Sequence, residues 1–199
     1  MTAIGVTGGI GSGKSYVCAA LVRRGYPVYD CDAAAKRLMQ ADPVIQDGLR
    51  QLFGTDVYLT DGTLNKPLLA QAVFSDADMQ QAVNGLVHPH VKDDFMLWRQ
   101  HQSADLAFLE SAILYESGLD DLLDGVLLVT APRRIRLKRA MQRDHTTAEA
   151  VTARMKSQLP QRELRARARW TLVNDGCDIQ PQLDFIIEQI KLLSHQQKH

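Results

Sequence analysis

The residues with the clearest chemical capacity in this 199-residue chain are Gly8-Gly9-Ile10-Gly11-Ser12-Gly13-Lys14-Ser15. Their spacing is that of the phosphate-binding pattern G-x-x-x-x-G-K-[ST]. Glycines at these positions let the backbone curl until successive N–H groups point inward at phosphate oxygens, and the start of a following helix adds a favourable dipole. Lys14 is then placed to reach the β- and γ-phosphates, and Ser15 to offer its hydroxyl to Mg²⁺. An apolar stretch, Thr2–Thr7, precedes the loop and an amphipathic one, Lys14–Arg24, follows it. That strand–loop–helix context gives the pattern its meaning. Gly9, Gly11, Ser12, Gly13, Lys14, Ser15 and Tyr16 are accordingly the expected ATP-binding residues.

Phosphate binding is not yet catalysis. A regulatory GTPase would need D-x-x-G and a guanine-reading N/T-K-x-D. No aspartate of the chain opens the first, and Asn65-Lys66 continues into Pro67-Leu68. Carboxylates at strand ends are the next candidates, because ligands of open α/β sheets bind at the carboxyl ends of the strands. Asp30-Cys31-Asp32 ends the second apolar run. One acid should face the phosphates, where it could accept a proton from an acceptor hydroxyl, while the other caps the following helix. Asp32 directly precedes the helical run Ala33–Gln40, so spacing alone leaves it equally a cap or a catalyst. Glu110 ends the third run and reads first as a plain strand-end acid, second as a Walker B-type carboxylate.

Between Arg133 and Arg169 twelve lysines and arginines stand against Asp144, Glu149 and Glu163, in a chain with no net charge. Such asymmetry calls for an anion. Arginines on a lid would neutralise the charge spread over a transferred phosphoryl group. Arg139 and Arg143, four apart, share one helical face and are the lid candidates; most of the other cations read as solvated helix surface. Nucleic acid is the rival anion, but stacking aromatics are almost absent from this segment.

The elements that must position these residues alternate. Apolar runs at Thr2–Thr7, Tyr26–Asp30, Asp105–Glu110, Gly125–Thr130 and Trp170–Asn174 read as buried parallel strands. Helical patterns lie between or after them at Lys14–Arg24, Ala33–Gln40, Arg133–Arg143 and Asp178–Leu193. The fold class is α/β, a three-layer P-loop NTPase arrangement around a five-stranded parallel sheet, in one domain spanning residues 1–199. Residues 41–102, punctuated by Pro43, Pro67 and Pro89, form a helical insertion, and about 133–169 a basic helical lid. Within the lid, Thr146-Thr147-Ala148-Glu149 opens a helix that Pro160 limits or kinks. The polar tail Ser194–His199 is expected to fray.

Composition narrows the class further. Cys18, Cys31 and Cys177 have neither disulfide nor zinc spacing, and no histidine cluster has metal-ligand spacing. No apolar run approaches the ~20 residues of a membrane helix, and the N-terminus runs straight from an apolar stretch into the glycine loop rather than resembling a signal peptide. A cytoplasmic protein with no membrane, nucleic-acid or obligate protein partner is expected.

Taken together, Val6-Thr7 with the glycine loop, Asp30-Cys31-Asp32, Val87-His88-Pro89, Leu114-Tyr115-Glu116, Leu137 to Asp144, Gln158 and Asn174-Asp175-Gly176 resemble the dephospho-CoA kinase family over essentially the whole chain. The resemblance implies an ATP- and Mg²⁺-dependent kinase that phosphorylates the ribose 3′-hydroxyl of dephospho-CoA to give CoA, with 41–102 as the CoA-binding region. It implies Asp32 as general base, Lys14, Arg139 and Arg143 as further catalytic residues, and Asp30, Lys36 and His88 as acceptor contacts. Tyr16 departs from the family's usual threonine, Glu110-Ser111-Ala112 from an acid- and proline-containing run, and Arg169 from a frequent aspartate, so Arg169 carries no role. Another small-molecule or nucleotide kinase on the same architecture is the alternative, and a nucleotide-responsive nucleic-acid binder the non-enzymatic one.

Overall fold

The computed structural model describes residues 1–196. In chain order its elements are β1 (Thr2–Thr7), α1 (Lys14–Arg23), β2 (Val28–Asp30), α2 (Cys31–Ala41), α3 (Pro43–Phe53), α4 (Lys66–Ser75), α5 (Ala77–Gln100), β3 (Leu106–Glu110), β4 (Gly125–Thr130), α6 (Arg133–Asp144), α7 (Ala148–Lys156), α8 (Gln161–Arg167), β5 (Trp170–Val173) and α9 (Gln180–Gln196). The chain divides into two compact units, Met1–Tyr29 with Gln102–His199, and Asp30–His101.

The first unit is built on the expected five-stranded parallel sheet, in the order β2-β3-β1-β4-β5. Ile4 in the central strand lies opposite Phe108 on one side and Gly125 on the other. Strands covered on both faces must be apolar at nearly every position, and β1, β3 and β4 are buried almost throughout. Val17 and Leu21 of α1 and Leu183, Ile187 and Ile190 of α9 pack with Ile4, Val6, Phe108, Leu127, Val129 and Leu172 of the sheet into one core. Leu114, from the stretch after β3, closes on β1 at Gly5, where an added Cβ would fall 2.5 Å from its Cδ1. Two residues on, Glu116 accepts a hydrogen bond from the Leu159 N–H, and the Arg167 guanidinium lies 3.9 Å from the centroid of the Tyr115 ring. Leu114-Tyr115-Glu116 thus ties the sheet to the basic arm.

Several boundaries differ from the sequence reading for local reasons. The second strand starts at Val28 rather than Tyr26, because the Tyr26 N–H is drawn back to the Leu21 carbonyl at the end of α1 and Pro27 has no N–H to give. Helix α2 starts at Cys31 rather than Ala33, since Asp30 is its cap. Asp178 lies outside α9, which starts at Gln180, and accepts from the Gln180 N–H at 3.0 Å. That helix continues to Gln196, so the expected fraying tail is helical as far as it is described and its last residues, 197–199, lie outside the described ones. In the basic arm Thr147 caps α7, and Pro160 stands just before α8 rather than within a helix.

The second unit is helical. Asp42, Asn65 and Asp76 cap α3, α4 and α5, with Pro43 and Pro67 in the first turns, where a missing N–H costs nothing. Gly48 lets α3 approach α5 closely, an added Cβ there falling 2.6 Å from Leu86. Ile45, Leu49, Val57, Val87, Val91 and Phe95 fill its interior. Among the described residues no helix is long and apolar enough to cross a membrane.

Asp42 does two jobs: its Oδ1 accepts from the Val44 and Ile45 N–H groups and its Oδ2 lies 3.1 Å from His90 Nδ1. Burial alone would raise its pKa, but the amides of Ile45 and Val44 and the neighbouring His90 outweigh burial and hold it below the usual carboxylate value. A depressed carboxylate stabilises the fold above the unfolded pKa and loses that contribution as pH falls through the folded one. Asp42→Ala should therefore cost about 1 kcal/mol at neutral pH in urea unfolding. The gap between variant and wild type should close as the pH is lowered below about 4, whereas an unchanged gap in acid would assign the loss to packing.

Candidate active site

The glycine loop leaves β1 at Thr7 and enters α1 at Lys14. Gly13 caps α1 with φ 92° and no side-chain bond, and Gly11 has φ 75°. Both are also pressed from outside: an added Cβ would fall 2.1 Å from the Asn174 amide nitrogen at Gly13 and 2.1 Å from the Arg136 carbonyl oxygen at Gly11. Left-handed backbone and close approach together exclude any side chain.

The residues that press on the loop also bind it. Arg136 Nε donates to the Ile10 carbonyl at 3.0 Å, while the Ile10 N–H donates to Gln158 Oε1 at 2.8 Å. The Ile10 side chain is buried in an apolar cluster with Ala140 and Val151, against Leu137, Met141 and Met155. Asn174 Nδ2 donates to the Ser12 carbonyl at 3.0 Å, and Arg139 forks onto the Asn174 carbonyl and Oδ1 at 3.0 and 3.2 Å. Inside the loop, Lys14 Nζ donates to the Gly8 carbonyl at 2.7 Å. Gly11, Gly13, Lys14, Ser15, Arg139, Ala140 and Arg143 line one cavity of about 280 Å³. The sequence-predicted donor residues Lys14 and Ser15 and the lid residues Arg139 and Arg143 are thus brought together. Tyr16 is half exposed on α1 and does not line that cavity.

Ser15 Oγ donates to Glu110 Oε1 at 2.9 Å. A hydroxyl and a carboxylate at the loop are hard oxygen donors of the type Mg²⁺ takes, and Mg²⁺ sites of nucleotide enzymes need few protein ligands because phosphates and water supply the rest. The residues present therefore fit the ion, although the described residues hold no group of three or more His, Cys, Asp and Glu side chains suited to a metal.

Arg143 is held at the end of α6. Its Nε and Nη2 donate to the two oxygens of Asp144 at 2.7 and 3.1 Å, and Arg154 Nη1 reaches Asp144 Oδ2 at 2.6 Å. The hydrogen bond from Arg143, joined by that from Arg154 and by both charges, outweighs burial and brings the Asp144 carboxyl down to about 2.

Asp30, Asp32, Lys36 and His88 all belong to the second unit. Asp30 Oδ1 accepts from the Ala33 N–H at 2.9 Å, so Asp30 is the cap and Asp32 lies in the first turn it caps. Of the two readings left open by spacing, the cap therefore falls to Asp30. Burial, with nearby Lys92, holds the half-buried His88 below the usual histidine pKa. Lys36 borders a groove of about 780 Å³ with Arg37, Lys66 and the apolar Met39, Leu64 and Leu69.

Arg136, and the bracing parts played by Gln158 and Asn174, escaped the sequence reading. Arg136 is one cation among twelve, and only its four-residue spacing from the buried Ala140 marked it as inward-facing.

Gly13→Ala would force a methyl toward Asn174 in a left-handed conformation that costs a non-glycine residue about 1–2 kcal/mol. It should weaken ADP binding about five- to thirtyfold in a calorimetric titration, the equivalent of that strain. Gly25→Ala is the control: Gly25 has φ 82° but nothing within 4 Å of an added Cβ, so it should lose thermal stability yet keep ADP affinity. Equal ADP affinity in both variants would show that the contact with Asn174 does not shape the loop.

The profile of the family described as dephospho-CoA kinase matches residues 2–179. A dephospho-CoA kinase of Porphyromonas gingivalis is 45% identical over 193 residues, covering 96% of this chain and 95% of that protein. The crystal structure of TT1252 from Thermus thermophilus superposes with a TM-score of 0.82 at 39% identity, covering 94% and 97% of the two chains. Shikimate kinase from Acinetobacter baumannii shares the fold at a TM-score of 0.54 and 16% identity, covering 96% and 93%. The loop, its braces and these likenesses agree, and the chain belongs to the dephospho-CoA kinase family.

Proposed function

We propose that this chain transfers the γ-phosphoryl group of ATP to the ribose 3′-hydroxyl of dephospho-CoA, giving CoA and ADP. The observation that carries the reading is the convergence of Lys14, Ser15, Arg139 and Arg143 on one cavity in a chain of this family. The loop amides and Lys14 bind the β- and γ-phosphates. Arg139 and Arg143 offset the charge on the transferred oxygens. Ser15, with Glu110 beside it, would hold Mg²⁺, which supplies charge neutralisation at the phosphates when bound. The bond from the γ-phosphorus to the β–γ bridging oxygen breaks as the bond to the 3′-oxygen forms, and the hydroxyl proton passes to Asp32.

Asp32 takes that part because the neighbouring Asp30 spends one oxygen, Oδ1, on capping α2. Residues 41–102 serve the acceptor, together with Asp30, Lys36 and His88 as contacts. Support comes from the groove in the second unit, whose cations Lys36, Arg37 and Lys66 border an apolar lining. A ligand with a charged pyrophosphate and a long uncharged arm matches that mixture. The basic stretch of about 133–169 acts as the lid.

Purified protein offered ATP with dephospho-CoA, AMP, shikimate or gluconate should release ADP only with dephospho-CoA. Turnover confined to another acceptor would overturn the acceptor while sparing the kinase. Asp32→Asn should lower kcat by about a hundredfold or more, as removal of a general base does, with ATP affinity unchanged. Retained kcat with lost thermal stability would reduce Asp32 to a structural role.

A further inference from the structure

Arg136 is only 6% exposed. Buried charges persist where they are paired, and an unpaired one is strongly destabilising. The hydrogen bond it makes, from Nε to the Ile10 carbonyl, is to a neutral group. The charged neighbour that acts on it is another cation, Arg133; burial first, then Arg133, push its pKa below the usual guanidinium value. The guanidinium fills the space a side chain at Gly9 would take, an added Cβ falling 2.2 Å from its Nη2. Its own backbone carbonyl stands against Gly11. Among the described residues no carboxylate pairs with it, so a positive charge is built into the wall of the glycine loop.

We infer that Arg136 is a positioning residue whose counter-charge is the phosphate chain of the bound nucleotide. It fixes the Ile10 carbonyl and places a positive charge behind the loop, and the arriving phosphates compensate that charge. The cation is thus tolerated in the empty protein because it is matched in the filled one. This rests on the donor half of the proposed function and is independent of the acceptor.

A purely structural brace would make different predictions, which equilibrium binding separates without any turnover. Arg136→Gln keeps an amide donor for the Ile10 carbonyl and removes the charge; Arg136→Lys keeps the charge. Wild type and both variants are titrated with ADP, AMP and adenosine, and their melting temperatures without ligand are recorded. The Gln variant should bind ADP about tenfold more weakly, as expected when a charged group loses its partner. It should lose less for AMP and nothing for adenosine, and its ligand-free melting temperature should equal or exceed that of wild type. The Lys variant should stay within about threefold of wild type for ADP, since it preserves the charge. An equal loss for ADP and adenosine, or no loss for either, overturns the inference. So does a Gln variant too unstable to purify, because relief of an unpaired buried charge should not weaken the empty fold. Absence of ADP binding by the wild type would overturn the donor reading as well, which keeps the two failures distinct.

Discussion

A loop as rich in glycine as Gly8–Gly13 has few side chains with which to keep its own shape, and this constraint organises the first unit. The shape is imposed from outside. Ile10 is held at its carbonyl by Arg136, at its N–H by Gln158 and through its side chain by the cluster around Ala140 and Val151. Asn174 holds the Ser12 carbonyl and is itself held by Arg139. These braces come from α6, from the stretch between α7 and α8, and from the end of β5. Parallel strand order brings them together: β4 lies beside β1 and β5 beside β4, so chain segments leaving both strands emerge next to the loop that leaves β1. At Gly11 and Gly13 this mould comes within 2.1 Å of where a Cβ would stand.

The same arrangement explains why Arg139 has two duties. Its guanidinium is committed to Asn174, and its side chain also lines the cavity with Lys14 and Ser15. An arginine fixed in this way contributes its charge at a defined place without ordering a free side chain when phosphate arrives, an entropic advantage for binding and for transition-state stabilisation alike. Arg143 is exposed and held by the neighbouring Asp144. Adjacent residues within a helix do not face each other. The pair stands at the end of α6, where His145 turns left-handed with φ 47°.

Much of this was legible in the sequence because it is local. The glycine–lysine–serine spacing, the continuous apolar strands and the proline punctuation each report on a few consecutive residues, and the fold class followed from their order. What stayed hidden depends on packing. The spacing of Asp30 and Asp32 could not decide which acid caps α2, since the cap is set by where the helical dihedrals begin and the helix begins two residues early, at Cys31. Glu110 read first as an ordinary strand-end acid, and its contact with Ser15 needs the pairing of β3 beside β1. Arg136 was hidden by its company, because a burst of arginines carries no signal of which one turns inward.

That burst also bears on the choice of anion. Its excess positive charge suggested either the phosphates of a nucleotide or those of a nucleic acid. Arg136 and Arg139 are turned onto the loop and its brace. Arg143 and Arg154 share Asp144, Arg167 pairs with Asp120 while stacking on Tyr115, and Arg169 lies over Trp170. A surface that tracks a nucleic-acid backbone needs a run of cations presented outward with aromatic faces among them. Here half of the arm's cations contact groups within their own unit, and Arg139 and Arg143 line a space of about 280 Å³ with Lys14 and Ser15. The charge asymmetry of the sequence thus resides in an arm whose cations are turned in part onto the glycine loop, through Arg136 at the Ile10 carbonyl and Arg139 at Asn174.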